Sequence, residues 1–434
     1  MAKITIDKGK VIGKIKPMHA INNGPTKGTS TTLWDTFKEA GIPYARLHDT
    51  CGCWGGTHYV DIPNVFPNFD ADVNDPNSYD FAFTDIYLKK IVEQGAEPFY
   101  RLGVTIENDH RIKAYNIYPP KDYEKWAKIC EHVIMHYNEG WANGFNYGIT
   151  YWEIWNEPDN ELDPADNPMW KGSRLDYFRL YETTANYLKE RFPNIKIGGY
   201  ASCGFYEILN TEPDLTAHIS SRTENFIEFF DEFFSYITSK EHKSPIDFFS
   251  FHSYGSIKDN VEYVRYARRR LDEMGLNEVE TNLNEWNPGI KNRGKARDAS
   301  NIMGMFLALQ NEPVDMLMYY DGQATSSYCG IYNPVNWTVF PAFYAFKYFN
   351  EVYKLKNQNQ LTCDDPDIFA VSANNGVDGA LVLANVSDKR KVVLLDGVNV
   401  KEIILTDEDV VNKEIKAESN AFEIGAYAIA CVKF

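Results

Sequence analysis

The 434-residue chain has no apolar run approaching the ~20 residues a membrane-spanning helix needs, so a bilayer is not an expected partner. Its first residues, Met1-Ala2-Lys3-Ile4-Thr5-Ile6-Asp7, lack the apolar core of roughly 7 to 15 residues that marks a secretory leader. A cytoplasmic location is the plain expectation, or a secreted or periplasmic one if a leader has been removed. Cysteine is sparse: seven residues, an odd number spread without a framework, read as reduced thiols. Positive charge is also short, with 44 Lys and Arg against 61 Asp and Glu. The net charge of −17 repels nucleic acid and anionic lipid. What remains is an ordinary composition, 44% hydrophobic, of a length that holds one large unit and one accessory unit.

Along most of that length short apolar stretches alternate with amphipathic ones. Strands are expected near residues 14–19, 44–48, 98–103, 151–156, 195–200, 247–252, 280–284 and 314–320. Helices are expected near 30–40, 84–94, 121–137, 173–191, 223–239, 259–274, 295–310 and 341–353, several of them stopped by Gly41, Gly95 or Gly275. Eight such pairs predict a closed (β/α)8 barrel over residues 13–354, whose working face lies where the strands end. Beyond it the texture changes to short runs rich in Val, Ile and Leu, separated by Asn, Asp and Gly turns. A small antiparallel β-sandwich over 355–434 is expected, with a strand from residues 1–12 as a possible addition and a supporting role.

Two glutamates stand at strand ends. Glu157 closes Trp152-Glu153-Ile154-Trp155-Asn156-Glu157-Pro158 on the fourth strand, and Glu285 closes Thr281-Asn282-Leu283-Asn284-Glu285-Trp286-Asn287 on the seventh. Two carboxylates facing across a sugar are what glycoside hydrolysis requires, one to protonate the departing oxygen and one to attack the anomeric carbon or activate water. A carboxyl that stays protonated at neutral pH needs an apolar or anionic neighbourhood, for which Trp152, Trp155 and Pro158 are candidates. Its partner needs a cation and donors, for which Arg46 and Tyr254 are candidates. Trp54, Trp155, Trp286 and Trp337 offer aromatic faces near strand ends, as packing or as platforms for a pyranose.

The ordered set Arg46-Leu47-His48, Trp155-Asn156-Glu157-Pro158, His252-Ser253-Tyr254 and Asn284-Glu285-Trp286-Asn287 resembles clan A glycoside hydrolases, most closely family 39, which holds beta-xylosidases and alpha-L-iduronidases. The resemblance implies an (α/β)8 barrel with an accessory β domain and retention of anomeric configuration. It makes Glu157 the acid/base, Glu285 the nucleophile, and Asn156 the partner of the sugar 2-hydroxyl. It sets Arg46 and Tyr254 on Glu285, His48 and His252 around the reacting sugar, and Tyr319 near the aromatic under that sugar's face. Arg46 is expected at a functional rim, where its loss spares the fold. After strand eight the chain departs from the xylosidase pattern, reading Asp321-Gly322-Gln323-Ala324-Thr325-Ser326-Ser327-Tyr328 in place of acidic residues. The basic stretch Lys291-Asn292-Arg293-Gly294-Lys295-Ala296-Arg297 reads as a solvated loop, or alternatively as a clamp for a carboxylate.

Other motifs carry less. His132 and His136 have the i, i+4 spacing of a zinc helix, but Val133 stands where its catalytic Glu belongs. Cys51-Gly52-Cys53 reads as free thiols in a Gly-rich turn. Arg265, Arg268, Arg269 and Arg270 share a helix with Glu262, Asp272 and Glu273 and read as a salt-bridged outer face. No metal or cofactor is expected, and the partner is a carbohydrate. The leading expectation is exo-action on beta-xylosides or related short glycosides. An endo-acting or uronate-directed hydrolase and a catalytically silent sugar-binding barrel are the alternatives, and the segment 52–83 is the element that would leave the groove open or closed.

Overall fold

The computed structural model describes residues 1–25, 32–50, 59–105, 117–208, 219–415 and 420–434. Eight parallel strands close a barrel: β2 (Ala20–Asn22), β3 (Tyr44–Leu47), β4 (Glu97–Leu102), β5 (Tyr151–Ile154), β6 (Lys196–Ser202), β7 (Phe248–Ser253), β8 (Glu280–Trp286) and β9 (Met316–Tyr319). Around them run α1 (Leu33–Ala40), α2 (Ile62–Val65), α3 (Ala82–Glu93), α4 (Tyr123–Asn138), α5 (Arg174–Arg191), α6 (Ser221–Thr238), α7 (Ile257–Glu273), α8 (Ala296–Leu309) and α9 (Phe343–Leu355). Local chemistry sets their starts. Ser173 with Asp176 and Ser256 with Asp259 form capping boxes that satisfy the first N–H groups of α5 and α7.

The first barrel strand lies six residues later than its sequence suggests. Residues up to Lys14 belong instead to β1 (Ala2–Lys14), which leaves the barrel altogether. It pairs antiparallel with β10 (Asn357–Cys363) and parallel with β13 (Lys391–Asp396). A second sheet forms around it with β11 (Ile368–Asn374), β12 (Gly379–Asn385), β14 (Glu402–Thr406), β15 (Lys413–Ile415), β16 (Ala421–Ile424) and β17 (Ile429–Lys433), in the order β15-β14-β17-β12-β11-β10-β1-β13-β16. Apart from the β1–β13 pair its ladders are antiparallel. The amino-terminal strand is therefore an interior strand of this sheet, with neighbours on both sides. Among the described residues no helix is long and apolar enough to cross a membrane.

Inside the barrel the layers differ in chemistry. Ala20, Phe99, Tyr151, Phe248, Met316 and Met318 form an apolar plug. Above it, toward the strand ends, sit fully buried Arg46, Arg101 and Glu153. Charges at such depth persist only when paired or bonded, so this layer marks the face where a site is built.

Candidate active site

Glu285 reaches the site through an irregularity in β8. Phe251 on β7 pairs with Leu283, but the next residue, His252, pairs with Glu285, so β8 carries one extra residue, Asn284. A bulge of this kind breaks the alternation of side chains. Asn284 and Glu285 consequently both point into the barrel: Asn284 Nδ2 donates to Glu153 Oε1 at 2.5 Å, and Glu285 Oε2 lies 3.3 Å from Arg46 Nη1. The same bulge turns Trp286 away from the cleft. Its ring is buried against Phe306 and Tyr319, which corrects its expected role as a sugar contact. Tyr319 is out of the cleft for the same reason of parity, its hydroxyl donating to Tyr328 O and accepting from Gly330 N–H. The residue after it, Tyr320, lines the cleft instead and donates to Asp49 Oδ2 at 2.6 Å.

Glu157 is positioned by the end of β5. Trp155 and Glu157 take left-handed backbone conformations, φ 74° and 46°, that non-glycine residues adopt only where surrounding structure imposes them. Here the Glu157 N–H is held by the carbonyls of Tyr200 and Ala201, and the Trp155 indole packs on Trp126 and Trp170 while donating to Met169 O. Trp152 is likewise buried, stacked on Tyr100. These tryptophans are core, and the surroundings of Glu157 are polar: Asn160 Nδ2 donates to Oε2 at 2.7 Å, and His252 Nδ1 lies 2.6 Å from Oε1.

His252 bridges the two carboxylates, its Nε2 standing 3.5 Å from Glu285 Oε2. Burial disfavours its cation, but Glu285 and Glu157 outweigh burial and raise its pKa above the usual imidazole range. Burial pushes Glu157 upward, yet the hydrogen bond and charge of His252 prevail and its pKa is lowered. An apolar environment that keeps Glu157 protonated, as the sequence suggests, is therefore not what the fold supplies. Asp159, two residues on, accepts from Ser202 Oγ and Cys203 N–H, and burial raises its pKa to about 7 against the Ser202 bond, with the charge of Glu157 adding to the rise.

Arg46 is the hub of the opposite side. Its Nε donates to Glu153 Oε2 at 2.8 Å, its Nη1 reaches Asn22 Oδ1 and Glu285 Oε2, and its Nη2 donates to Asn156 Oδ1 at 2.6 Å. Ser250 Oγ also donates to Glu153, so five barrel strands meet in one network. Burial works against the Arg46 charge, but Glu153 and Glu285 hold it firmly protonated. Asn156 Oδ1 is thus engaged, and its amide N–H groups meet no acceptor among the described residues. Tyr254 donates to Glu285 Oε1 at 2.6 Å.

The cleft has a volume of about 520 Å³ and is walled by His48, Asp49, Glu157, Asn160, Cys203, Tyr206, Arg222, Phe226, Tyr254, Glu285, Tyr320 and Tyr328. One oxygen of each glutamate and a ring nitrogen of His252 lie within 4.8 Å of one another. Glu153, Asn22, Ser250, Tyr320 and Tyr328 escape a motif reading. A charge in mid-strand, Trp152-Glu153-Ile154, is the signal that could have found the first of them.

Elsewhere the expectations sort themselves out. Cys51, Cys53, Trp54 and the start of the segment 52–83 lie outside the described residues. Trp337 is exposed and lies apart from the cleft lining. His132 and His136 are packed in α4, bonded to Lys128 O, to Trp141 O and to Asp85. The α7 arginines pair with acids, as in Arg265 with Glu312 and Arg268 with Asp272. The basic loop does not line the cleft: Arg293 donates to Cys329 O, and Arg297 lies over the Tyr427 ring.

Comparison with known proteins agrees with this geometry. The profile of Glycosyl hydrolases family 39 matches residues 6–286. The chain belongs to that family. A beta-xylosidase of Caldicellulosiruptor saccharolyticus is 29% identical over 217 residues, and one of Geobacillus stearothermophilus is 27% identical over 224. These stretches are 46% and 49% of this chain and only 40% and 38% of the two relatives. Among solved structures, a glucosidase from Croceicoccus marinus superposes with a TM-score of 0.76 at 16% identity, covering 100% of this chain and 98% of that one. A monomeric beta-xylosidase from Caulobacter crescentus CB15 gives 0.68 at 18% identity, with 99% of both chains covered. These two solved structures thus share the fold over the whole chain, barrel and second sheet together.

Proposed function

We propose that this family 39 protein is a retaining glycosidase of two-step displacement, exo-acting on beta-xylosides or related short glycosides, with the barrel that runs from β2 to α9 as its catalytic unit. The observation that carries the reading is the pair of glutamates, an oxygen of each within 4.8 Å of the other. So close an approach of two carboxylate oxygens supports the ~5 to 5.5 Å carboxyl spacing of retaining enzymes over the ~6.5 to 9.5 Å of inverting ones. Both matched relatives named above as beta-xylosidases support the substrate class.

In this reading Glu285, held by Arg46 and Tyr254, attacks the anomeric carbon and forms the glycosyl ester. Glu157 delivers a proton to the departing oxygen, drawing it from the hydrogen bond with His252: a carboxylate beside an imidazolium holds the same proton as a carboxylic acid beside a neutral imidazole. Ester formation removes the Glu285 charge that helps keep His252 protonated. Glu157 then serves as base for the incoming water. The free amide of Asn156 meets the 2-hydroxyl, and the tyrosines of the cleft rim face the ring.

Hydrolysis of nitrophenyl and alkyl xylosides by variants tests the roles. Glu157→Ala is expected to slow poor leaving groups by roughly 10²- to 10⁴-fold and good ones far less, with azide restoring turnover. Equal losses on both would sink the acid/base role. A 2-deoxy-2-fluoro xyloside is expected to label Glu285, and a label on any other residue would overturn the nucleophile.

A further inference from the structure

A second cavity, about 760 Å³, opens on the other side of Tyr254, where α7 and α8 meet the second sheet. Ile257, Val261, Trp286, Met305, Phe369 and Val386 give it a mainly apolar lining, the usual make-up of a site for a small organic molecule. Tyr254 and Ser256 in that lining are bonded to Glu285 and Asp259, but five other polar groups share one property. Lys258, Asn292, Arg297 and Asn301 have side chains without a hydrogen bond or ion pair to any described residue, and the buried Trp286 Nε1–H has no acceptor. All five can donate, and the three that are not amides, Lys258, Arg297 and the Trp286 indole, cannot accept.

The cations are also placed against the backbone field. Lys258 lies in the first turn of α7 and Arg297 in the first turn of α8, the helix ends that favour negative charge. The acids of those turns are spent elsewhere: Asp259 closes the capping box with Ser256, and Asp298 is buried, turned toward Gly330. Farther along α7, Arg265, Arg268, Arg269 and Arg270 each have a carboxylate partner. In a chain of net charge −17, these two cations on the wall of one apolar cavity have no carboxylate partner among the described residues, Arg297 lying instead over the Tyr427 ring.

We propose that this cavity binds a small organic anion, an apolar ring bearing a carboxylate, and that the occupant touches the hydrolytic centre through Tyr254, which lines both cavity and cleft. The ring lies among Ile257, Met305 and Phe369, and the carboxylate meets Arg297, Lys258 and the orphaned indole N–H. The cavity adjoins the sugar cleft at Tyr254 alone, and anion binding in it does not depend on the hydrolase reading.

Titration calorimetry of the full chain with 1-naphthoate, and with uncharged 1-naphthalenemethanol, tests it. Naphthoate is expected to bind one site, and the double variant Lys258→Gln with Arg297→Gln, both exposed positions, is expected to weaken it at least tenfold while leaving naphthalenemethanol unchanged. Asn301→Trp, which puts a large ring on the cavity wall, is expected to remove both. Absence of binding at millimolar naphthoate, an unaltered affinity in the double variant, or displacement of naphthoate by xylose would each overturn the proposal. A protein that cleaves no glycoside but shows this binding pattern refutes the hydrolase reading alone.

Discussion

Arg46 does more than steady one carboxylate. Its shortest ionic contact is with Glu153, and both side chains are fully buried, so the guanidinium is the countercharge of a barrel-interior glutamate before it is a partner of Glu285. A rim position whose loss spares the fold is thus not what the structure shows. Removing one member of a buried pair leaves the other uncompensated, typically at about 3–5 kcal/mol. Arg46→Met is expected to lower unfolding free energy by that order in denaturant titration, and a second change, Glu153→Leu, to recover part of it. A melting curve unchanged in Arg46→Met would refute the pairing. His252 carries a different signature. Its raised pKa makes its stabilising contribution complete below the ordinary value of 6.5 and lost as pH rises through the higher folded value. Glu157, lowered from 4.5, contributes above that value and loses its share as pH falls through the lowered one. The stability gap between the parent protein and His252→Gln is therefore expected to be widest between about pH 5 and 6.5 and to narrow toward alkaline pH. A gap that widens from pH 7 to 9 would contradict the ion pair. The sequence exposes Glu157, Glu285, Arg46 and Tyr254 through their motifs. It hides the His252 bridge, since a contact between residues 95 positions apart depends on the placement of two strands.

At the scale of the element, legibility follows regularity. Strands and helices with a clean period and a Gly or Ser boundary, such as α1 ending at Gly41 and α7 beginning after Ser256, lie within a few residues of their expected limits. Gly41 stops α1 with φ 65°, where a Cβ would also collide with the Asn350 amide. The failures occur where regularity breaks. The first barrel strand is only three residues long and follows thirteen residues given to the other sheet, so the apolar stretch at 14–19 marks the passage between two layers. The extra residue in β8 reverses the facing of everything after it, which is why Glu285 and Asn284 enter the site together and Trp286 does not. Periodicity cannot reveal such a bulge. The same parity moves the cleft aromatic of the last strand from Tyr319 to Tyr320.

For the whole molecule the question is what the second sheet contributes. It has its own core, in which Ala2, Ile4 and Ile6 pack with Leu381, Leu383, Leu395 and Ile424, and β1 is the only described strand that joins β13 and β16 to the rest. It is fastened to the barrel by buried polar contacts, Ser300 Oγ to Asn385 O and Tyr348 with Thr406, as well as by apolar packing on α8 and α9. The described cleft wall, by contrast, comes wholly from the barrel, between His48 and Tyr328. Stability and chemistry are therefore separable. Ile4→Ala deletes a side chain with no solvent exposure in the core of the second sheet, and large-to-small changes at such positions cost about 2–5 kcal/mol. The variant is expected to unfold at markedly lower denaturant while keeping, at 25 °C and below its transition, the kcat and KM of the parent on a short xyloside. A fall in kcat without a fall in stability would mean that the sheet shapes the site itself, and the separation argued here would fail.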